Sequence, residues 1–131
     1  RLMEIEAAAG DWEALRQTAG EFLAINPLVP AGHRSMAQAD TELGDLAGAI
    51  MERRVLLKVD PVEAVENHYE LAKLLVAEKE LLPARREVVL ALEDAPRFRE
   101  GHRLLLEIVD KMDAAATRPA TTTPATEAAG E

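Results

Sequence analysis

The sequence predicts an all-α protein built as an α-solenoid, a stack of antiparallel helix pairs. Three observations predict it. Pro27, Pro61 and Pro96 stand 34 and 35 residues apart, and each closes a similar phrase: Phe22-Leu23-Ala24-Ile25-Asn26-Pro27, Leu56-Leu57-Lys58-Val59-Asp60-Pro61 and Ala91-Leu92-Glu93-Asp94-Ala95-Pro96. A fixed period in this range marks an array whose units bury their apolar faces only against their neighbours. The second observation is composition. The chain is 48% apolar but only 3% aromatic, so its interior is Ala, Leu, Val and Ile, strong helix formers among them and several small enough for close helix approach. The third is a break, Gly10-Asp11, that recurs as Gly44-Asp45.

Residues 1–9 read as the end of a helix, and after Gly10 the Asp11 carboxylate is placed to cap the next one. Residues 12–24 form a second helix with Leu15, Ala19, Phe22 and Leu23 on one face. Asn26-Pro27 and Pro30 make a loop. A third helix covers 31–43 and stops at Gly44-Asp45. A fourth, 46–58, carries Leu46, Ala49, Ile50, Arg53, Leu56 and Leu57 at helical spacing. Asp60-Pro61-Val62-Glu63 has the form of a helix start, with Asp60 as cap, Pro61 in the first turn and Glu63 completing a capping box. The helix begun there reaches about residue 79 and carries Leu71, Ala72, Leu74 and Leu75. Lys79 stands where a glycine is expected, so this turn is expected to form differently from the other two. Pro83 suits the first turn of a helix ending near Asp94. The last helix, about 97–113, carries Phe98, Leu104, Leu105, Ile108 and Val109. Residues 1–113 are thus one helical domain. Residues 114–131 turn to Ala, Thr and Pro, with nothing large and apolar to offset ordering entropy, and are expected to be a disordered tail rather than a glycosylated stalk.

Charge and composition narrow the function classes. The net charge is −9, which argues against broad binding to nucleic acid or anionic membranes, both polyanions. There is no cysteine, so disulfides and thiolate metal sites are excluded. No apolar run approaches the roughly 20 residues that span a bilayer. The chain opens on Arg1, inside what reads as a helix, and is expected to be a piece of a longer protein.

The 34-residue period, the helix pairs and the closing prolines resemble the tetratricopeptide repeat (TPR). Small residues stand where that family has them. Ala37 and Ala72 lie 24 residues before their prolines, and Ala49 and Ala84 lie 12 before. The unit Tyr69-Glu70-Leu71-Ala72 … Ala84 … Ala91-Leu92 … Pro96 is the clearest. Met3 and Leu15 depart from the pattern in the first unit. Leu106 takes the place of Ala37 and Ala72 in the last helix, which has no second helix after it. The resemblance implies about three TPR-like units over residues 1–112 and a C-terminal capping helix.

Few residues suggest chemistry. His33, His68 and His102 occupy one equivalent site, but successive units place such atoms on the order of 10 Å apart. Zinc needs its ligands within about 2.0–2.3 Å of one ion. The resemblance implies that they are packing residues near a seam between units. No catalytic triad, phosphate loop or metal motif is evident, so the expectation is a non-enzyme with no catalytic residues, metal or cofactor. The resemblance implies a concave groove lined by the first helix of each pair, here Arg34 and Gln38, Tyr69 and Lys73, Arg103 and Glu107. Arg34, Lys73 and Arg103 would make a basic strip beside the Tyr69 ring, suited to an extended peptide with an acidic group or C-terminal carboxylate. The Lys and Asn clamp of chaperone-tail binders is not reproduced. The expected function is a scaffold that binds a protein or peptide partner. One alternative is the non-catalytic C-terminal array of a larger bacterial enzyme such as a zinc peptidase, whose closing helix resembles Pro96–Leu106. Another is self-association through the apolar face of residues 1–25.

Overall fold

The computed structural model describes residues 2–117; Arg1 and the stretch 118–131, and most of the expected tail with it, lie outside the described residues. The fold is all-α. The described residues form α1 (Leu2–Ala9), α2 (Trp12–Ile25), α3 (Pro30–Leu43), α4 (Leu46–Val59), a 3-10 turn (Pro61–Glu63), α5 (Ala64–Ala77), α6 (Leu81–Asp94) and α7 (Arg99–Thr117). Each helix packs against the next in the chain, and contacts between helices two apart are confined to α1 with α3 and α5 with α7.

The three breaks close in one way. The backbone N–H of Asp11 donates to Glu6 O and that of Gly10 to Ala7 O; Asp45 and Gly44 repeat this on Asp40 and Thr41, and Glu80 and Lys79 on Leu75 and Val76. This double bond is the Schellman ending, in which one residue must turn left-handed. Gly10 and Gly44 do so at φ of 73° and 86°, and Lys79 does so at 64°. The turn at Lys79 therefore does not form differently, as the sequence suggests; a lysine accepts the glycine conformation at a steric cost. Asp11 and Asp45 then cap α2 and α4 by accepting from Ala14 N and Gly48 N at 3.3 and 3.0 Å. Glu80 makes no such side-chain bond.

Two boundaries also depart from the sequence reading. Asp60 does not cap the next helix. Its carboxylate accepts from Arg34 Nη1 at 2.8 Å, and Pro61–Glu63 is a 3-10 turn without a side-chain cap. An ion pair 26 residues distant outcompetes the local capping box. At the other end, α7 continues through Ala114–Ala116 to Thr117, because alanine, the strongest helix former, prolongs a helix already held by packing upstream.

The positions expected to be small are at close contacts. Ala37, Ala49, Ala72 and Ala84 are all fully buried. Leu71, Ala72, Leu75, Ala84, Val88, Leu104 and Ile108 form one cluster across α5, α6 and α7. Leu15, in place of a small residue, is also fully buried, whereas Leu106 is 66% exposed.

The histidines tie helices together. His33 Nδ1 lies 2.7 Å from Glu52 Oε1, and His68 Nδ1 lies 2.7 Å from Glu87 Oε1, each pair 19 residues apart. The Nε2 atoms of His33 and His102 lie 2.6 and 2.7 Å from the carbonyls of Pro27 and Pro96. The His33 imidazole thus bridges α3 to α4 and to the loop before α3. Near the N-terminal end, Arg16 of α2 reaches two carboxylates, with Nη2 2.9 Å from Asp45 and Nε 3.1 Å from Asp40 Oδ1. The latter is an ionic contact too poorly angled to be a hydrogen bond. Burial raises the Asp40 carboxyl above its usual value, and Arg16 only partly opposes it.

Candidate functional site

Two adjoining clefts flank the first turns of α5. The 3-10 turn and the first turn of α5 place Glu63 and Glu66 on the wall between them, so both glutamates line both clefts. The first has a volume of about 580 Å³ and runs from the start of α3 to Asn67, with Arg34, Arg53 and Asp60 on its sides. The second, about 420 Å³, has Val62, Val65, Tyr69 and Phe98 as apolar lining.

Tyr69 and Phe98 meet edge to face, with ring centroids 5.0 Å apart and planes at 74°. This geometry suits the aromatic quadrupoles and joins the middle of α5 to the segment before α7. Lys73, one turn along α5, sets its Nζ 4.9 Å from the Tyr69 centroid and 3.3 Å from Glu70 Oε1. The ammonium is shared between a ring face and a carboxylate.

The first cleft is polar and unevenly satisfied. Arg53 Nη1 donates to Asn67 Oδ1 at 2.9 Å. Asn67 is 1% exposed, and its Nδ2 has no hydrogen-bond partner. Burial lowers the Arg53 guanidinium from its ordinary value, while the nearby Glu70 and Glu66 charges support the cation. Guanidinium remains protonated at neutral pH all the same. Among the described residues no carboxylate stands within 4.0 Å of Arg53, whereas Arg16 has two and Arg34 and Lys73 one each.

Of the six residues expected to line a groove, Arg34 lies in the first cleft and Tyr69 in the second, with Lys73 beside it. Gln38, Arg103 and Glu107 are exposed and belong to neither cleft. Arg34 and Lys73 are paired within the chain, so the expected basic strip is largely neutralised along α3 and α5. Sequence reasoning misses Arg53, Asn67 and Phe98 as site residues. Arg53 is legible only as a member of the α4 buried face. The available signal is that a charged residue sits in that face, at a place where α2 and α6 carry Ala19 and Val88.

No group of three or more potential metal-ligating side chains occurs among the described residues. No described helix is long and apolar enough to cross a membrane. No protein-family model and no curated protein matches this chain.

Proposed function

We propose that the protein is a non-catalytic interaction scaffold, an α-solenoid of TPR-like helix pairs that holds an extended segment of a partner protein along α5. The observation that carries this reading is the pair of clefts sharing the Glu63 and Glu66 wall. One side offers hydrogen-bond donors and the other an aromatic floor. An extended chain spans about 3.3–3.6 Å per residue, so a segment of a few residues reaches from one cleft into the other. Apolar side chains of such a segment would lodge against Tyr69 and Phe98, while its polar groups meet Arg34 and Arg53. Recognition of this kind requires no chemistry from the protein. It also accounts for the polar residues placed where neighbouring helices bury apolar ones.

A photo-crosslinking experiment tests it. Val62 lines the second cleft and is 87% exposed, so a photoreactive residue there leaves folding intact. Peptides selected from a random displayed library should be captured at position 62 and not at position 106, where Leu106 is also exposed. Capture at 106 alone, or a library that yields no binder, defeats the reading.

A further inference from the structure

Asn67 and Arg53 break the internal pattern together. Gly32, Asn67 and Gly101 each directly precede one of the three histidines. At the outer two positions a side chain would force neighbouring side chains to move. A Cβ on Gly32 would lie 2.6 Å from Leu23 Cδ2, and one on Gly101 would lie 2.8 Å from Phe98 Cδ2 and 3.0 Å from Leu92 Cδ2. The helices approach closely there. The position in α2, α4 and α6 that counts back eight residues from each closing proline reads Ala19, Arg53 and Val88. Ala19 and Val88 are fully buried. At the α4–α5 seam, therefore, a glycine has become asparagine and a buried apolar residue has become arginine. The two touch, and a cleft stands open beside them.

This exchange is costly as it stands. A half-buried guanidinium with no carboxylate in contact carries a desolvation penalty that the Glu66 and Glu70 charges offset only in part, and a buried amide nitrogen without an acceptor carries its own. Two groups on the wall share one deficiency, because Arg53 and Asn67 Nδ2 are donors without an anionic or neutral acceptor beyond their own contact, while Arg34 at the mouth is already paired with Asp60. The nearby acceptors do not remove it. Asp60 is held by Arg34, and Glu63 and Glu66 are exposed.

We infer that the α4–α5 seam seats a carboxylate of the partner segment, an Asp or Glu side chain or a C-terminus. Arg53 is its principal ligand and Arg34 a second at the mouth, while the buried Asn67 holds the Arg53 guanidinium in place through its Oδ1. The planar two-oxygen edge of a carboxylate matches a guanidinium fork. A phosphate dianion matches less well, because Glu63 and Glu66 line the same cleft and repel the second charge. With Asp60, those glutamates outnumber Arg34 and Arg53 on the lining, so capture depends on hydrogen-bond geometry rather than long-range steering. This seat rests on the reading that the clefts take an extended peptide, and it places the anion away from Lys73 and Arg103.

Acetate alone is the first probe. In side-chain NMR, the Arg53 Nε–H and Asn67 amide signals should shift saturably with sodium acetate and not with sodium chloride of equal ionic strength. The exposed Arg54, Arg85 and Arg86 should not respond. Absence of a saturable shift at both groups overturns the seat. The second probe is a peptide selected from the displayed library, compared with a twin whose acidic residue is replaced by its amide. The twin should bind at least tenfold more weakly, about 1.4 kcal/mol. That difference should vanish in Arg53→Gln and in Asn67→Asp, the latter supplying Arg53 with a carboxylate from within the chain. If peptides are captured at position 62 but the twin binds equally well, the seat is wrong and the interaction reading stands. If acetate shifts both groups but no peptide is selected, the seat stands and the peptide reading fails.

Discussion

Lys79 shows how much one backbone angle decides. Its φ of 64° is a conformation that costs an L-residue about 1–2 kcal/mol, while glycine adopts it freely. Glycine also gives up about 0.4–1 kcal/mol through greater unfolded-state freedom. Lys79→Gly should therefore stabilise the protein by about 0.5–1 kcal/mol. The next residue offers a second gain. Glu80 leaves the start of α6 without a side-chain cap, whereas Asp11 and Asp45 cap α2 and α4. Glu80→Asp should add about 0.5–1 kcal/mol, and the double variant roughly the sum. Urea denaturation measures both. A destabilised Lys79→Gly would mean that the lysine side chain makes a compensating contact. The left-handed turn was not legible here, because lysine carries no conformational signal for it; only the six-residue closure from Glu80 N to Leu75 O reveals it.

At the level of elements, the helix pairs stand or fall with their small residues. Ala72 is fully buried in the α5–α6 contact, and Leu106 occupies the corresponding place in α7 but is 66% exposed. Ala72→Leu should destabilise by about 1–3 kcal/mol through overpacking. Leu106→Ala should stay within about 0.5 kcal/mol, since nothing packs over it to leave a cavity. Thermal melts of the two variants check the contrast, and an Ala72→Leu protein as stable as its parent would refute the assigned contact. The helices themselves were readable from period and breaks to within a few residues. The start of α5 was not. Asp60-Pro61-Val62-Glu63 satisfies the local rule for a capping box, yet Arg34 from the previous helix pair holds the carboxylate. A tertiary ion pair is invisible to a four-residue motif.

For the whole molecule, the ends differ in what they contribute. α1 has no buried residue, while α7 inserts Leu104 and Ile108 into the cluster with Leu71, Leu75 and Val88. Burial of such side chains is worth about 1.5–3 kcal/mol each, and removing α7 would also uncover the residues beneath it. A chain ended after Pro96 should lose its cooperative transition or melt far lower. A chain ended after Thr117 should melt as the parent does, because residues 118–131 include no large apolar side chain. Circular dichroism melts of both truncations decide. Equal melting of the shorter chain would mean that α5 and α6 need no cover.

The sequence by itself determined the helical class, the period, the small residues at helix contacts and the equivalence of the three histidines. All are local or periodic properties, set by backbone preference and by spacing along the chain. Only the tertiary structure decided which polar groups meet. Arg53 and Asn67 are 14 residues apart, on different helices, and their significance lies in which of their hydrogen bonds are left unmade. Arg34 looked like a free cation because its charge is visible in the sequence, whereas the position of Asp60 against it is set by how α3 packs on the end of α4; the partners of Lys73, Tyr69 and Glu70, lie within one turn of it on α5. A charge is a property of a residue, but its availability is a property of the fold.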